Sequence, residues 1–205
     1  MQAFVSILID QKAMHPLRQF ILQYTPISEP DWQTISDCLI RREMKRETLL
    51  LEEGKTCKHL YFLEKGLLRF FVWKDGLDIT KYFTDVPYVF TSQKSFNQQV
   101  PAQESIETLE DSIIWQMTYG DAQRLLELKS WSTFIRLLVQ EVQTYTEEIL
   151  EALQTQTAEQ RYKLLLQQDA DLVQRVPLKH LASYLGIAPQ SLSRIRKKMQ
   201  QQLRT

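Results

Sequence analysis

The chain has 205 residues, 43% of them hydrophobic, and its 25 basic side chains balance 25 acidic ones. That length holds one or two domains with a sizeable core, and the lack of any run of about 18 apolar residues excludes a membrane-spanning helix. The start, MQAFVSILIDQKAMH, has neither a basic opening nor a small-residue cleavage site, so no signal peptide is expected, and Cys38 and Cys57 are expected to be free buried thiols in a cytoplasmic protein.

Apolar spacing predicts a helix over 12–24, through Leu17, Phe20, Ile21 and Tyr24, and a second over 29–41, with Ser28 and Asp31 as a capping pair and Pro30 in the first turn. Residues 47–83 are strand-like, with apolar and aromatic runs broken at Glu53-Gly54, Lys65-Gly66 and Asp75-Gly76. Asp-Gly between apolar runs is a hairpin signal. Further strands are expected at 86–91, 104–110 and 112–117, and short strands at this spacing predict an antiparallel barrel or jelly roll. Helices return at 120–128, capped by Thr118 and Asp121, and then at 132–154. In the long helix Ile135, Leu138, Val142, Tyr145, Ile149 and Ala152 recur at spacings 3, 4, 3, 4, 3, the pattern of a coiled-coil seam; packing on the chain's own barrel is the alternative. Phe134, Leu137, Leu150 and Leu153 widen the apolar surface enough for both contacts. A helix over 157–168 follows, and Val176-Pro177 opens the last unit. The expected fold is α+β: an N-terminal jelly-roll barrel with flanking helices over 1–130, a dimerisation helix over 131–155 and a helix-turn-helix domain over 156–205.

The last 28 residues carry the clearest pattern. LKHLASYLGIAPQSLSRIRKKM predicts two short helices meeting at Gly186, with Leu181, Ala182 and Leu185 facing Leu192, Ile195 and Met199. From Leu178 onward there are six basic residues and no acidic one, a net charge of +6 that leaves −6 for the remainder. Such asymmetry points to a nucleic-acid-binding end. At about 100° per residue, Gln190, Arg194 and Lys197 lie opposite the apolar stripe, with Ser193 and Lys198 beside them. Arg and Gln can each pair bidentately with a base edge in the major groove of double-stranded DNA, whereas Ser193, Lys197 and Lys198 suit phosphate, as does Lys179 on the preceding helix.

EGKTCKHLYFLEKGLLRFF resembles the opening strands of the cyclic-nucleotide-binding jelly roll, and with the long helix and ASYLGIAPQSLSRIRKK the chain resembles a regulator of the Crp/Fnr family over almost its whole length. The resemblance implies a homodimeric bacterial transcription factor, with an effector domain, a helix that pairs with its twin and a DNA-reading helix on which Gln190, Ser191 and Arg194 fall at base-contacting positions. It implies no enzyme, and activation would require a contact with RNA polymerase.

The departures from the family are specific. The nucleotide cassette corresponds to YVFTSQKSFNQQVPAQESIETLEDS, which has no glycine, and its Arg-Ser step becomes Glu104-Ser105. A carboxylate where an arginine holds phosphate repels the ligand, so cyclic AMP is not expected to bind and no cofactor is assigned. Two cysteines cannot supply a four-ligand iron–sulfur site, and His15 and His59 are expected to be surface or core residues rather than haem ligands. Trp73, Tyr82, Phe83, Tyr88, Phe90 and Phe96 are candidates either to line an apolar pocket or to form plain core; Arg69 and Lys94 either meet an anionic ligand or are surface charges. A cupin-like barrel enzyme would need clustered His and carboxylate ligands, and His59 alone lies in the strand region. The +6 segment argues against an adaptor that has lost DNA binding.

Overall fold

The computed structural model describes residues 14–85 and 87–202. Helix α1 (Pro16–Leu22) opens on a proline, and the His15 ring nitrogen accepts the Leu17 N–H at 3.2 Å; the described part of the helix expected at 12–24 is this segment. Helix α2 (Glu29–Ser36) is capped by Ser28, whose hydroxyl accepts the Asp31 N–H at 3.2 Å. This helix stops five residues short of the expected end, because β1 (Ile40–Met44) pairs antiparallel with the strand Ser112–Thr118, from Ile40 opposite Gln116 to Met44 opposite Ser112. IRREM has good helix formers, but tertiary pairing along the sheet edge overrides that local preference and holds Ile40–Met44 extended.

The remaining strands are β2 (Leu49–Leu51), β3 (His59–Lys65), β4 (Leu68–Lys74), β5 (Leu77–Thr84), β6 (Tyr88–Phe90), β7 (Ser105–Thr108) and β8 (Ser112–Thr118). They form two four-stranded sheets, ordered β1-β8-β3-β6 and β2-β7-β4-β5, the two layers of a jelly roll. Asp75 and Gly76 both have positive φ (53° and 77°), the mirror-image turn expected of Asp-Gly, and Lys74 pairs with Leu77 across it. Gly66 has φ 111°, and a Cβ there would stand 2.1 Å from the Ser112 hydroxyl, so no other residue fits between β3 and β4. A short helix, α3 (Gln93–Gln98), interrupts the strands between β6 and β7 and was not expected.

Helix α4 (Tyr119–Leu125) is capped by Thr118 and leads into α5 (Lys129–Thr155), 27 residues long. Trp131, Phe134 and Leu138, spaced 3 and 4, share one face of α5 and are buried with Phe20, Phe62, Phe70, Ile106 and Ile114 in the main core. Helix α6 (Ala158–Gln168) begins with a reciprocal Thr157–Gln160 capping box; a further helix not expected from the pattern, α7 (Ala170–Arg175), precedes α8 (Leu178–Tyr184) and α9 (Pro189–Gln202). A second core joins the C-terminal helices to the barrel: Leu67 and Leu109 are buried together with Tyr162, Leu172, Val173, Leu181, Leu185 and Leu192.

Candidate nucleic-acid interface and effector cleft

The helix pair α8–α9 is held by a tight crossing. Gly186 takes φ 70° in the turn, and Ala182 and Leu192 are both fully buried. Burying Leu192, with Ile195 and Met199 half-buried, fixes the rotation of α9 and turns Gln190, Ser193, Arg194, Lys197 and Lys198 to the exterior; Ser191 is half-buried. Lys179 is exposed on α8. Gln190, Arg194 and Lys197 form one row at i, i+4 and i+7, and their side chains have no hydrogen bond or ion pair among the described residues. The other two basic residues of α9 are engaged. The Lys198 ammonium donates to both Glu159 carboxylate oxygens at 2.8 and 3.1 Å. Arg196 donates to the Val173 carbonyl at 3.3 Å and lies over the Tyr162 ring. The Ser193 hydroxyl donates to the Pro189 carbonyl at 3.1 Å.

The helix pair is docked on the barrel through buried polar groups, a contact without a local sequence signal. Strand β5 is the edge of its sheet, and the Ser183 hydroxyl completes that edge: it accepts the Thr80 N–H at 2.9 Å and donates to the Asp78 carbonyl at 2.8 Å. Arg69 is 3% exposed, so it is neither a surface charge nor a free anion ligand: its guanidinium holds Asp78 through two nitrogens, pairs with Glu107 and stacks on Phe71 at 4.0 Å. Burial, with Arg69 and Lys179 nearby, pushes the His180 imidazole down to about 4. Arg175 ties α7 to the strand connections, donating to Glu110 at 2.8 and 2.9 Å, to Asp85 at 2.8 and 3.0 Å and to the Gly66 carbonyl at 3.1 Å.

A cleft of about 1170 Å³ separates β5, β6 and α3 from α5. Tyr82, Phe83, Tyr88, Phe90 and Phe96 line it; Trp73 does not, standing 60% exposed next to the Asp75-Gly76 turn. Glu104, expected at the position of the family's arginine, is 8% exposed, accepts the Ser92 hydroxyl at 2.9 Å and pairs with the Lys81 ammonium. The segment that would cradle a phosphate is instead α3, and Lys94 is exposed on it. Cys38 and Cys57 are free and buried, His15 packs on Trp32 and Trp115, and among the described residues no group of three His, Cys, Asp or Glu side chains is placed to hold a metal. Nor is any described helix long and apolar enough to cross a membrane.

The outer face of α5 differs from the seam inferred by spacing. Leu138 is 5% exposed and belongs to the barrel core, since it lies on the face of Trp131 and Phe134; Ile135 is packed against the same core. Val142, Ile149 and Ala152 are half-buried and Tyr145 is exposed. Val139, Leu150 and Leu153 are also exposed, so the apolar row open to solvent runs along Val139, Val142, Ile149, Leu150 and Leu153.

Residues 41–129 match the family model described as cyclic nucleotide-binding domain. No curated protein matches the chain by sequence. Among solved structures it is similar to the catabolite activator protein of Thermus thermophilus (16% identity, 87% of this chain and 86% of that one, TM-score 0.55). It is also similar to a crp/fnr-family transcriptional regulator from Eubacterium rectale (16%, 88% and 88%, 0.67) and to FixK2 from Bradyrhizobium japonicum (15%, 80% and 85%, 0.69). The chain therefore shares the fold of solved Crp/Fnr-family transcriptional regulators, and its residues 41–129 are similar to the cyclic nucleotide-binding domain.

Proposed function

We propose that the chain is a sequence-specific DNA-binding transcriptional regulator that acts as a homodimer, with an effector barrel over 1–130, a dimer helix over 131–155 and a DNA-reading domain over 156–205. The observation that carries this reading is the unpaired row Gln190, Arg194 and Lys197 on the exposed face of α9. Arg194 and Gln190, with Ser191 beside them, are assigned to base edges. Lys179, Ser193 and Lys197 are assigned to phosphate; Lys198 joins them by exchanging Glu159 for a phosphate oxygen. The apolar row Val139, Val142, Ile149, Leu150 and Leu153 supports pairing with a second copy of α5, a seam turned toward Val139 from the one the spacing suggests, with Leu138 left to the barrel. Catabolite activator protein and FixK2 share the fold, which favours this assignment over a barrel enzyme.

Cyclic AMP is not its effector. Glu104 places a buried carboxylate at the family's phosphate-holding position, and that carboxylate already uses Lys81 and Ser92. Calorimetry should find no micromolar binding of cyclic AMP.

Selection of duplexes from a randomised pool by the ligand-free protein, read by sequencing, tests the central reading. A near-palindromic site is expected, with half-sites about 34 Å apart, or one helical turn. A recovered motif with a single half-site would remove the dimer from the mechanism, and no enrichment with or without small-molecule extracts would remove DNA reading.

A further inference from the structure

We propose that the cleft between the barrel and α5 is a binding site for a small organic cation carrying an aromatic ring, an amine rather than a phosphate ester.

The walls and the charges both select for that chemistry. Phe70 and Tyr82 stack at 4.2 Å and Phe70 meets Phe90 edge-on at 6.1 Å, so the deep wall is a continuous aromatic surface, backed by the buried Tyr61, which stacks on Phe90 at 5.2 Å. Flat rings bury well against such a wall, and a cation gains about 1–2 kcal/mol over an aromatic face once desolvated. The fixed charge of the cleft is negative. Glu104 sits at its foot on the barrel side, and Glu141 and Glu148 line it from α5. The cations around it are committed or peripheral: Lys81 is paired with Glu104, Arg175 with Asp85, and Lys94 is exposed on α3. An entering anion meets Glu141 and Glu148 and finds no free buried cation, whereas an ammonium is drawn to those two carboxylates on α5 and, on the barrel side, can take the place of the Lys81 ammonium at Glu104. The tyrosines report the same field. Burial first, and then Glu141, push the Tyr88 hydroxyl up to about 12, and burial together with Glu104 pushes Tyr82 up further.

The volume, about 1170 Å³, exceeds the roughly 300–1,000 Å³ of ordinary ligand pockets, so the ligand need not fill the cleft to bridge it. A cation held between Glu104 on the barrel and Glu141 or Glu148 on α5 would favour the state with α5 drawn against the barrel. That is a differential contact of the kind an effector needs. The inference extends the regulator reading to its ligand, but its test uses no DNA, so the two can fail separately.

Titration calorimetry of the full chain at low salt, with three probes of one shape, tests it: 2-naphthylmethylammonium, 2-naphthylmethanol and 2-naphthoate. The ammonium should bind at least about tenfold more tightly than the carboxylate, with the alcohol between them. Glu104→Gln should erase or reverse that order, since it removes the carboxylate and releases Lys81. Glu148→Gln, on the exposed helix, should weaken the ammonium about two- to fivefold without threatening the fold. Equal or tighter binding of the naphthoate to the unaltered chain would overturn the proposal. So would failure of all three probes to bind below about 1 mM, or ammonium binding indifferent to both substitutions.

Discussion

The outer face of α9 and the cleft beside α5 use charge in opposite ways. On α9, Arg194 and Lys197 stand exposed with no partner among the described residues, fully hydrated. In the cleft, Glu104 is paired with Lys81, Asp85 with Arg175, and Glu141 accepts the Tyr24 hydroxyl at 2.7 Å. Free, hydrated cations act at the range of a Debye length, about 8 Å in physiological salt, and suit a polyanion that arrives with its counterions. Charges already paired at a half-buried wall act only at contact, where they select among small ligands by sign and shape. On the proposed reading, one face steers and the other discriminates.

The contrast breaks most severely if the recognition faces cannot be presented in pairs. Val142→Glu with Leu150→Glu places charges in the solvent-facing apolar row of α5 while leaving Trp131, Phe134 and Leu138 in the barrel core. Monomers are expected in sedimentation, with specific DNA affinity down by about 10³-fold; a variant that stays dimeric would place the seam elsewhere. Arg194→Ala should come next, costing about 1–3 kcal/mol of DNA binding and relaxing the preference at one base position. Lys197→Ala should instead weaken all sequences evenly and lower the salt slope by about 1. Equal losses with no change in base preference would take base reading away from Arg194.

The two regions were unequally legible in the sequence. The α9 face follows from helical phase alone, because Leu192, Ile195 and Met199 fix which side is buried, and everything needed lies within one turn-to-turn repeat. The strands from β3 to β5 were legible for a similar reason: Lys65-Gly66 and Asp75-Gly76 mark turns that only particular residues can make. The role of Arg69 was not, since its partners Asp78 and Glu107 are brought to it by strand pairing, Arg69 standing opposite Glu107 in the register of β4 and β7. Likewise α3 was missed because SFNQQ has weak apolar periodicity and is held by the barrel: Phe96 is buried, and the Ser95 hydroxyl accepts the Cys57 N–H at 2.8 Å. The proposed seam on α5 is turned from the one the spacing suggests for the same kind of reason. Two overlapping apolar rows share Val142 and Ile149, and the barrel decides which row it covers, taking Leu138 and Ile135 for its own core.

What keeps the two regions in register is the dock between them, and Ser183 measures it. Ser183→Ala leaves the Thr80 N–H and the Asp78 carbonyl of the edge strand without their partner, which should cost about 2 kcal/mol and shorten the exchange protection of the Thr80 amide. Unchanged protection would mean that water or a shifted α8 replaces the hydroxyl at no cost.

The smallest effect is a matter of pH, and its sign is definite. His180 is 5% exposed on the buried face of α8, facing Arg69, Asp78, Lys179 and Arg46, and its folded-state pKa of about 4 lies below the ordinary 6.5. Below pH 6.5 the unfolded chain takes up a proton that the folded chain refuses until about pH 4, so stability falls across that window and the loss levels off beneath it. Between pH 7 and pH 5.5 the loss should be about 1 kcal/mol, seen as a lower urea midpoint with the same slope. His180→Gln should remove that part of the dependence. If the variant and the unaltered chain lose stability in parallel over this range, the imidazole is not held neutral in the fold, and the dock then tolerates a charge beside Arg69 that its buried geometry argues against.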